Sequence, residues 1–553
     1  MKRLWFLAAT ALATGTAPAM AQDALPPSGG DEAGVRDTGG GPGRRVAISP
    51  YLYAEQSLVA GLSNSDDVLT YTSLQAGVDG TVQTRRVQAQ FSYRYEHRFA
   101  WDDQLDDTDV HSGIAIASAQ LAPGIGFEFG GIATRARSDI RGAAPGLLRG
   151  NVANISQVYA VYGGPTVQQQ IDQFSLNAAY RIGYTKVETP DSGLGVLPGE
   201  RLDLYNDSLS HLVTGSLATR AGTYAPFGIT LSGLYEREDA GQLDQNYEGY
   251  YGRVDLIQPV SPTLALTAGV GYENIRISQR DALVDADGNV VTDGNGRFVT
   301  DPDSPVRLAY DIDGVFYDAG VIWRPSPRTT LEVRLGERYG SFSGTGNFSW
   351  AMSDREGLQV VVYDSVQSFG RQLGDGLAAL PTSFNNPFGG TGSNYNGCIF
   401  GSQGGATGGC LNSVFQSVTT ANYRARGIDA IFAANRGWWR YGFGAGYANR
   451  RFLAPDQSPG VQITGLEDES YYVQAFASRQ LDADSGLTGD VFYNWYQAGL
   501  GNFEARGAGA TGAYYRNFGR LNALASAGVY VSDQALTDAD VVAQALLGLG
   551  YRF

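Results

Sequence analysis

Through most of the chain, apolar and polar positions alternate by two. In Val87 to Phe99, Val87, Ala89, Phe91, Tyr93, Tyr95 and Phe99 share one face, while Gln88, Gln90, Ser92, Arg94, Glu96 and Arg98 share the other. A strand turns successive side chains to opposite sides of a sheet, so this period predicts strands with one apolar and one polar face. The pattern returns in Phe174 to Thr185, where Phe174, Leu176, Ala178, Tyr180, Ile182 and Tyr184 oppose Ser175, Asn177, Arg181 and Thr185. In Leu331 to Tyr339 the apolar set is Leu331, Val333, Leu335 and Tyr339, against Glu332, Arg334 and Arg338. Further on, Trp439, Tyr441, Phe443, Ala445 and Tyr447 oppose Arg440, Gly442, Gly444 and Gly446. His97 and Glu337 break the phase by falling among apolar positions.

A soluble sandwich also alternates, and three features separate it from a membrane barrel. The alternating segments run roughly 10–14 residues, against a mode of about 5–6 for globular strands and about 9–11 for strands that cross a bilayer. Aromatic residues gather toward segment ends, as at Tyr93–Tyr95, Tyr471–Tyr472, Tyr493–Trp495 and Tyr514–Tyr515, which fits interfacial girdles. Connections also alternate in length. Short turns rich in Pro, Gly or Asp (Leu121–Gly124, Gln258–Pro262, Arg324–Arg328, Ser353–Gly357, Asp482–Gly486, Asn517–Arg520) are separated by longer, acidic stretches such as Asp102–Asp109, Pro190–Asp207 and Asp281–Ser304. Short turns on one side and long loops on the other are the build of an outer-membrane barrel.

The expected fold is therefore all-β: one transmembrane, antiparallel, up-and-down barrel of about 22 strands (20–22), spanning residues 46–553. A weak repeat, visible in Thr263–Tyr272, Thr329–Tyr339 and Gly486–Tyr493, reads as one hairpin unit reused around the wall. At the C-terminus Leu547, Leu549, Tyr551 and Phe553 alternate with Gly548, Gly550 and Arg552. This end resembles the signal by which outer-membrane proteins engage the barrel assembly machinery, with Gly548, Tyr551 and Phe553 at the matching positions. Leu546 departs from that pattern, which usually has a polar residue there.

Composition agrees with export. Of 553 residues only 17% are charged, Gly numbers 74, and Tyr and Phe number 32 and 24. A net charge of −16 repels phosphates and argues against nucleic acid as a partner. Lys2 and Arg3 precede an apolar run from Leu4 to Thr16 and the small-residue site Ala19-Met20-Ala21, so residues 1–21 are expected to be a cleaved signal peptide. Residues 22–45 read as a disordered periplasmic lead-in, too short for an N-terminal plug domain. The expected home is the outer membrane of a Gram-negative cell, with lipid and lipopolysaccharide around the wall.

Enzyme chemistry is not indicated. The chain has three histidines, no paired ligand spacing and no nucleophile motif; His111 and Ser112 are adjacent and point to opposite faces. No cofactor or metal is expected. Asp285 to Gly296 superficially resembles a calcium loop but lacks the bidentate Glu, and its Asp-Gly and Asn-Gly pairs suit hairpin turns. Cys398 and Cys410 lie in a long, Gly-rich extracellular loop at 370–421 and are expected to pair as a staple. Arg94, Glu96, Arg98, Arg181, Glu236, Glu273, Glu332, Arg334, Arg338, Arg440 and Asp490 fall on the polar phase and are the candidates to line the lumen. Two roles stay open for them: guiding ions or a polymer, or pairing across strands to stiffen the wall.

Val46–Gln56, Tyr71–Asp79, Gln90–Glu96 and the terminal Tyr551-Arg552-Phe553 are similar to segments of a family of β-barrel porins of α-proteobacteria, some associated with exopolysaccharide loci. The resemblance covers nearly all of the mature chain as a strand pattern and has no active-site signature. It implies an outer-membrane channel, for solutes or for polysaccharide together with other export components, and names no substrate. The competing expectation is a structural or adhesive barrel with a closed lumen. Strands about 4.8 Å apart and tilted near 40° would close 22 of them at roughly 40 Å diameter, too wide for side chains to fill. The 370–421 loop is the expected constriction.

Overall fold

The computed structural model describes residues 45–63, 68–101, 108–138, 155–189, 203–385, 395–416, 418–456, 463–501, 503–534 and 537–553. The proposed signal peptide and nearly all of the lead-in lie outside these residues. Twenty-two antiparallel strands form one sheet, each bonded to its neighbours in sequence. The first strand, Arg45–Gly61, pairs with the last, Thr537–Arg552, from Tyr51↔Arg552 to Gly61↔Val542, and closes the sheet into a ring. The strand count matches the sequence reading. A separate two-stranded hairpin, Cys398–Gln403 with Ala406–Cys410, lies in the segment between strands Glu356–Gln367 and Asn422–Arg436, which pair directly with each other.

Strand Gln245–Pro259 shows how one sequence makes both faces. Glu248, Tyr250, Gly252, Val254 and Leu256 point outward and are exposed, while Tyr247, Tyr251, Arg253 and Asp255 point inward and are buried. The outward face carries Leu52, Ile182, Leu231, Val270 and Leu335 around the ring. Near the short-turn end it carries Trp323, Trp350 and Trp439. Toward the long-loop end it carries a belt of tyrosines, many with their hydroxyls engaged. Tyr95 donates to Asp109 at 2.6 Å, Tyr235 to Glu248 at 3.1 Å and Tyr317 to Glu337 at 2.8 Å. Tyr93 and Tyr180 bond His111 and His211 at 2.7 and 2.8 Å.

That belt explains the two phase breaks. His97 and Glu337 do face outward, but beyond the tyrosines, where His97 bonds Asp109 at 2.7 Å and Glu337 accepts from Tyr317. Above the belt the faces exchange character: Arg276 is exposed outside while Ile275 and Ile277 are buried inside. The strands consequently outrun the expected 10–14 residues, reaching 20 in Arg307–Ser326. Tyr339 is a correction. Alternation groups it with the apolar set of its strand, yet a two-residue turn gives it a φ of 55°, and its ring lies against the inward guanidiniums of Arg338 and Arg424 at 4.7 and 5.0 Å. The acidic stretch near Asp285 forms turns: Asp285 accepts from the N–H groups of Asp287 and Asn289, both at 2.9 Å, and Asp293 from those of Asn295 and Arg297.

Candidate functional site

The described residues between Gln367 and Asn422 fold inside the ring. Their sequence explains the first part: Ser368 caps a helix, Phe369–Ala378, by accepting from the Arg371 N–H, and Phe369, Leu373 and Leu377 recur at i, i+4 and i+8. All three are fully buried, packed with Ile114, Val158, Tyr205 and Val418 into the largest apolar cluster among the described residues. Gly370 permits that approach, since a Cβ there would sit 2.3 Å from the Tyr205 hydroxyl.

The helix is also held by charge. Arg371 Nε donates to Glu238 at 2.9 Å and Nη1 to Glu236 at 2.8 Å, with the guanidinium 3.4 Å from the centre of the Tyr247 ring. Arg181 reaches Asp375 at 3.3 Å from the other side. Burial and the neighbouring Glu236 push the Asp375 carboxyl above its ordinary range. Beyond the helix, Gln90 clamps the Phe384 backbone in both directions, at 2.8 and 2.9 Å.

The hairpin lies against the opposite wall. Cys398 and Cys410 are bonded to each other, and the Cys398 N–H donates to Gln474 at 2.8 Å. The inward glycines of strand Trp439–Leu453 form the floor beneath it. A Cβ on Gly442 would meet the Phe400 ring at 2.4 Å, and one on Gly444 the Cys398 sulfur at 2.3 Å. At the tip, the Gly404 N–H donates to the Asp354 carbonyl at 3.0 Å, in a short turn. The segment thus enters from the long-loop end, touches opposite sides of the ring and reaches the short-turn end.

The sequence candidates divide by position. Glu332 and Arg334 pair at 2.8 Å, and Arg334 continues to Asp255 at 2.6 Å, which shares Arg253 with Asp318. Glu273 holds Arg338 at 2.7 Å, and Arg98 donates to Glu96 at 2.6 Å. Arg94 is buried on the inward face, and Asp490 accepts from Gln474 at 3.1 Å. Arg181 and Glu236 bind the inner helix, as above. Arg440 keeps the inward phase but is exposed at the short-turn end, with no ion pair among the described residues. Leu547, Leu549, Tyr551 and Phe553 face outward, while Gly548 lies under the Tyr53 ring across the closing seam, 2.3 Å from where its Cβ would be. Sequence reasoning missed Arg253, Asp255 and Asp318, which alternation alone could have found. It also missed Arg371 and Asp375, whose signal was the helical period hidden in a Gly-rich run.

No protein-family model matches the chain, and no curated protein does. Among solved structures it is similar to the FrpB iron transporter from Neisseria meningitidis (F3-3 variant), with 10% identity and a TM-score of 0.42 over 91% of this chain and 81% of that one. It is also similar to OccAB4 of Acinetobacter baumannii (12% identity, TM-score 0.29, 92% and 98% covered) and OpdQ of Pseudomonas aeruginosa (10%, 0.29, 92% and 97%). Likeness at this level carries no argument about what the chain does; the fold rests on the strand pairing itself.

Proposed function

We propose that the chain is an outer-membrane channel with a built-in constriction, the segment of residues 368–421. An apolar outward face between tryptophans and hydrogen-bonded tyrosines suits a bilayer with an interface at each side. The observation that carries the channel reading is how the interior is filled. Around the helix and the hairpin, ion pairs and side-chain amide bonds supplement apolar packing, and such ties can be exchanged for water when the segment shifts. The path is a passive one, with no catalytic role for any residue.

The burial of inward positions such as Glu55, Gln75 and Arg94 favours the second reading, a closed barrel of structural or adhesive role. Planar-bilayer recordings of the purified protein decide between them. A channel gives discrete conductance steps, larger by severalfold when residues 370–421 are replaced by a short Gly-Ser link. Silence from both the parent and the loop-deleted protein, each inserted and folded, would establish the closed barrel. Exopolysaccharide export is the narrower form of the proposal. It rests only on the resemblance noted above, and it requires that soluble polysaccharide added at the short-turn side block the current.

A further inference from the structure

An open-sided space of about 680 Å³, counting the solvent it opens onto, separates the inner helix from the wall toward the long-loop end. Its enclosed part has room for only a few waters, so a bound molecule would lie partly in the opening. Two charged groups of opposite sign are presented to it. Arg338 donates through Nε to Glu273 at 2.7 Å and is wedged among the rings of Tyr251, Phe316 and Tyr339, at 5.0, 4.8 and 4.7 Å. Its terminal nitrogens Nη1 and Nη2 make no hydrogen bond to any described residue. Glu236 spends Oε2 on Arg371 and leaves Oε1 without a hydrogen-bond partner among the described residues. Gln367 adds a buried Oε1 that accepts no hydrogen bond from any described residue. The remaining wall is apolar or aromatic, including Leu212, Leu234, Ile275 and Tyr247.

A fixed guanidinium with two free donors asks for a carboxylate. Two unfilled acceptors in the same cavity ask for an ammonium group. A simple anion would suffer from Glu236 and Asp375, and a simple cation from Arg338. We infer that this cavity binds small zwitterions of the amino-acid class, with the carboxylate on Arg338, the ammonium on Glu236 and Gln367, and an apolar side chain against Leu234 and the tyrosine rings. The inference rests on the channel reading only in treating the ligand as the passenger.

Titration calorimetry on the detergent-folded full mature chain tests the site without requiring conduction. The probes are L-phenylalanine, 3-phenylpropionate with the acid alone, and phenethylamine with the amine alone. L-Phenylalanine should bind roughly tenfold more tightly than either, the worth of one charge-assisted hydrogen bond. Arg338→Gln should remove that preference over phenethylamine, and Glu236→Gln the preference over phenylpropionate. Because Arg338 also holds Glu273, Leu234→Trp serves as a second variant that fills the cavity and leaves both charges in place; it should abolish binding. Equal binding of all three probes, no binding of L-phenylalanine at millimolar concentration, or full binding by Leu234→Trp each overturns the inference. Binding without bilayer current would keep the site and sink the channel; current without binding would do the reverse.

Discussion

Arg371→Ala tests what holds the constriction in place. The substitution removes a buried guanidinium bonded to Glu238 at 2.9 Å, Glu236 at 2.8 Å and Asn422 at 3.3 Å, and stacked on Tyr247. Breaking a buried pair by deleting one partner costs about 3–5 kcal/mol, because the stranded carboxylates stay desolvated. Against this, complete burial of Phe369, Leu373 and Leu377 contributes about 5–9 kcal/mol in total, at roughly 1.5–3 each. The helix should therefore remain docked most of the time but visit an undocked state about a hundred to several thousand times more often. The ring should be unaffected, since the ladders on either side of the segment do not use Arg371. The assay is limited proteolysis of folded protein in detergent, read as the rate of nicking within residues 368–421, with heat-modifiable mobility confirming an intact ring. Adding Glu236→Gln and Glu238→Gln to Arg371→Met should restore most of the protection by leaving no uncompensated charge. A nicking rate for Arg371→Ala within twofold of the parent would refute the reasoning.

Three further outcomes are expected. Gly444→Val should push the hairpin off its floor, because the new Cβ would meet the Cys398 sulfur at 2.3 Å; mild reductant should then open the disulfide severalfold faster, measured by thiol alkylation. Gly548→Ala should slow ring closure by colliding with Tyr53, lowering the heat-modifiable fraction, and Tyr53→Ala should recover it. In the loops, burial pushes the Asp203 carboxyl up to about 7 while it accepts from the Phe298 N–H at 2.9 Å. An acid whose folded pKa is raised holds its proton more tightly when folded. The N–H contact itself favours the charged form, but desolvation outweighs it, so the folded packing around Asp203 should be most stable below about pH 4, lose stability as pH rises to about 7 and level off above. Hydrogen exchange at Phe298, corrected for its intrinsic rate, should quicken across that window, and Asp203→Asn should flatten the response.

The wall was legible because a period of two is local: one look at Val87–Phe99 gives both faces of a strand and their chemistry. The limits came where position along the strand changes what a face means. His97 and Glu337 looked like errors of phase because the sequence does not mark where the apolar band ends; the tyrosine hydroxyls mark it in three dimensions. Tyr339 defeated alternation through a turn too tight to show in composition. The interior was less legible still. Inward charges could be picked out, but a partner such as Arg371 belongs to a segment that reads as a loop, and its carboxylates are more than 130 residues away. The glycines at 442 and 444 registered only as small residues opposite aromatics, because the hairpin they accommodate is joined to them by no sequence signal.

The clamp between Gln90 and Phe384 has a bearing on the order of events during assembly. Its halves are 294 residues apart, and the hairpin's other anchor, Gln474, lies nearer the far end of the chain. The disulfide, by contrast, closes over a sequence separation of 12 and needs nothing from the wall. The hairpin can therefore be oxidised and compact before the ring closes. Its final seat exists only when early and late strands have been brought to the two sides of the closing seam, so wall-building precedes filling. In that order the ring closes before it is filled, and the time it spends open is set by how fast a preformed piece finds both anchors at once.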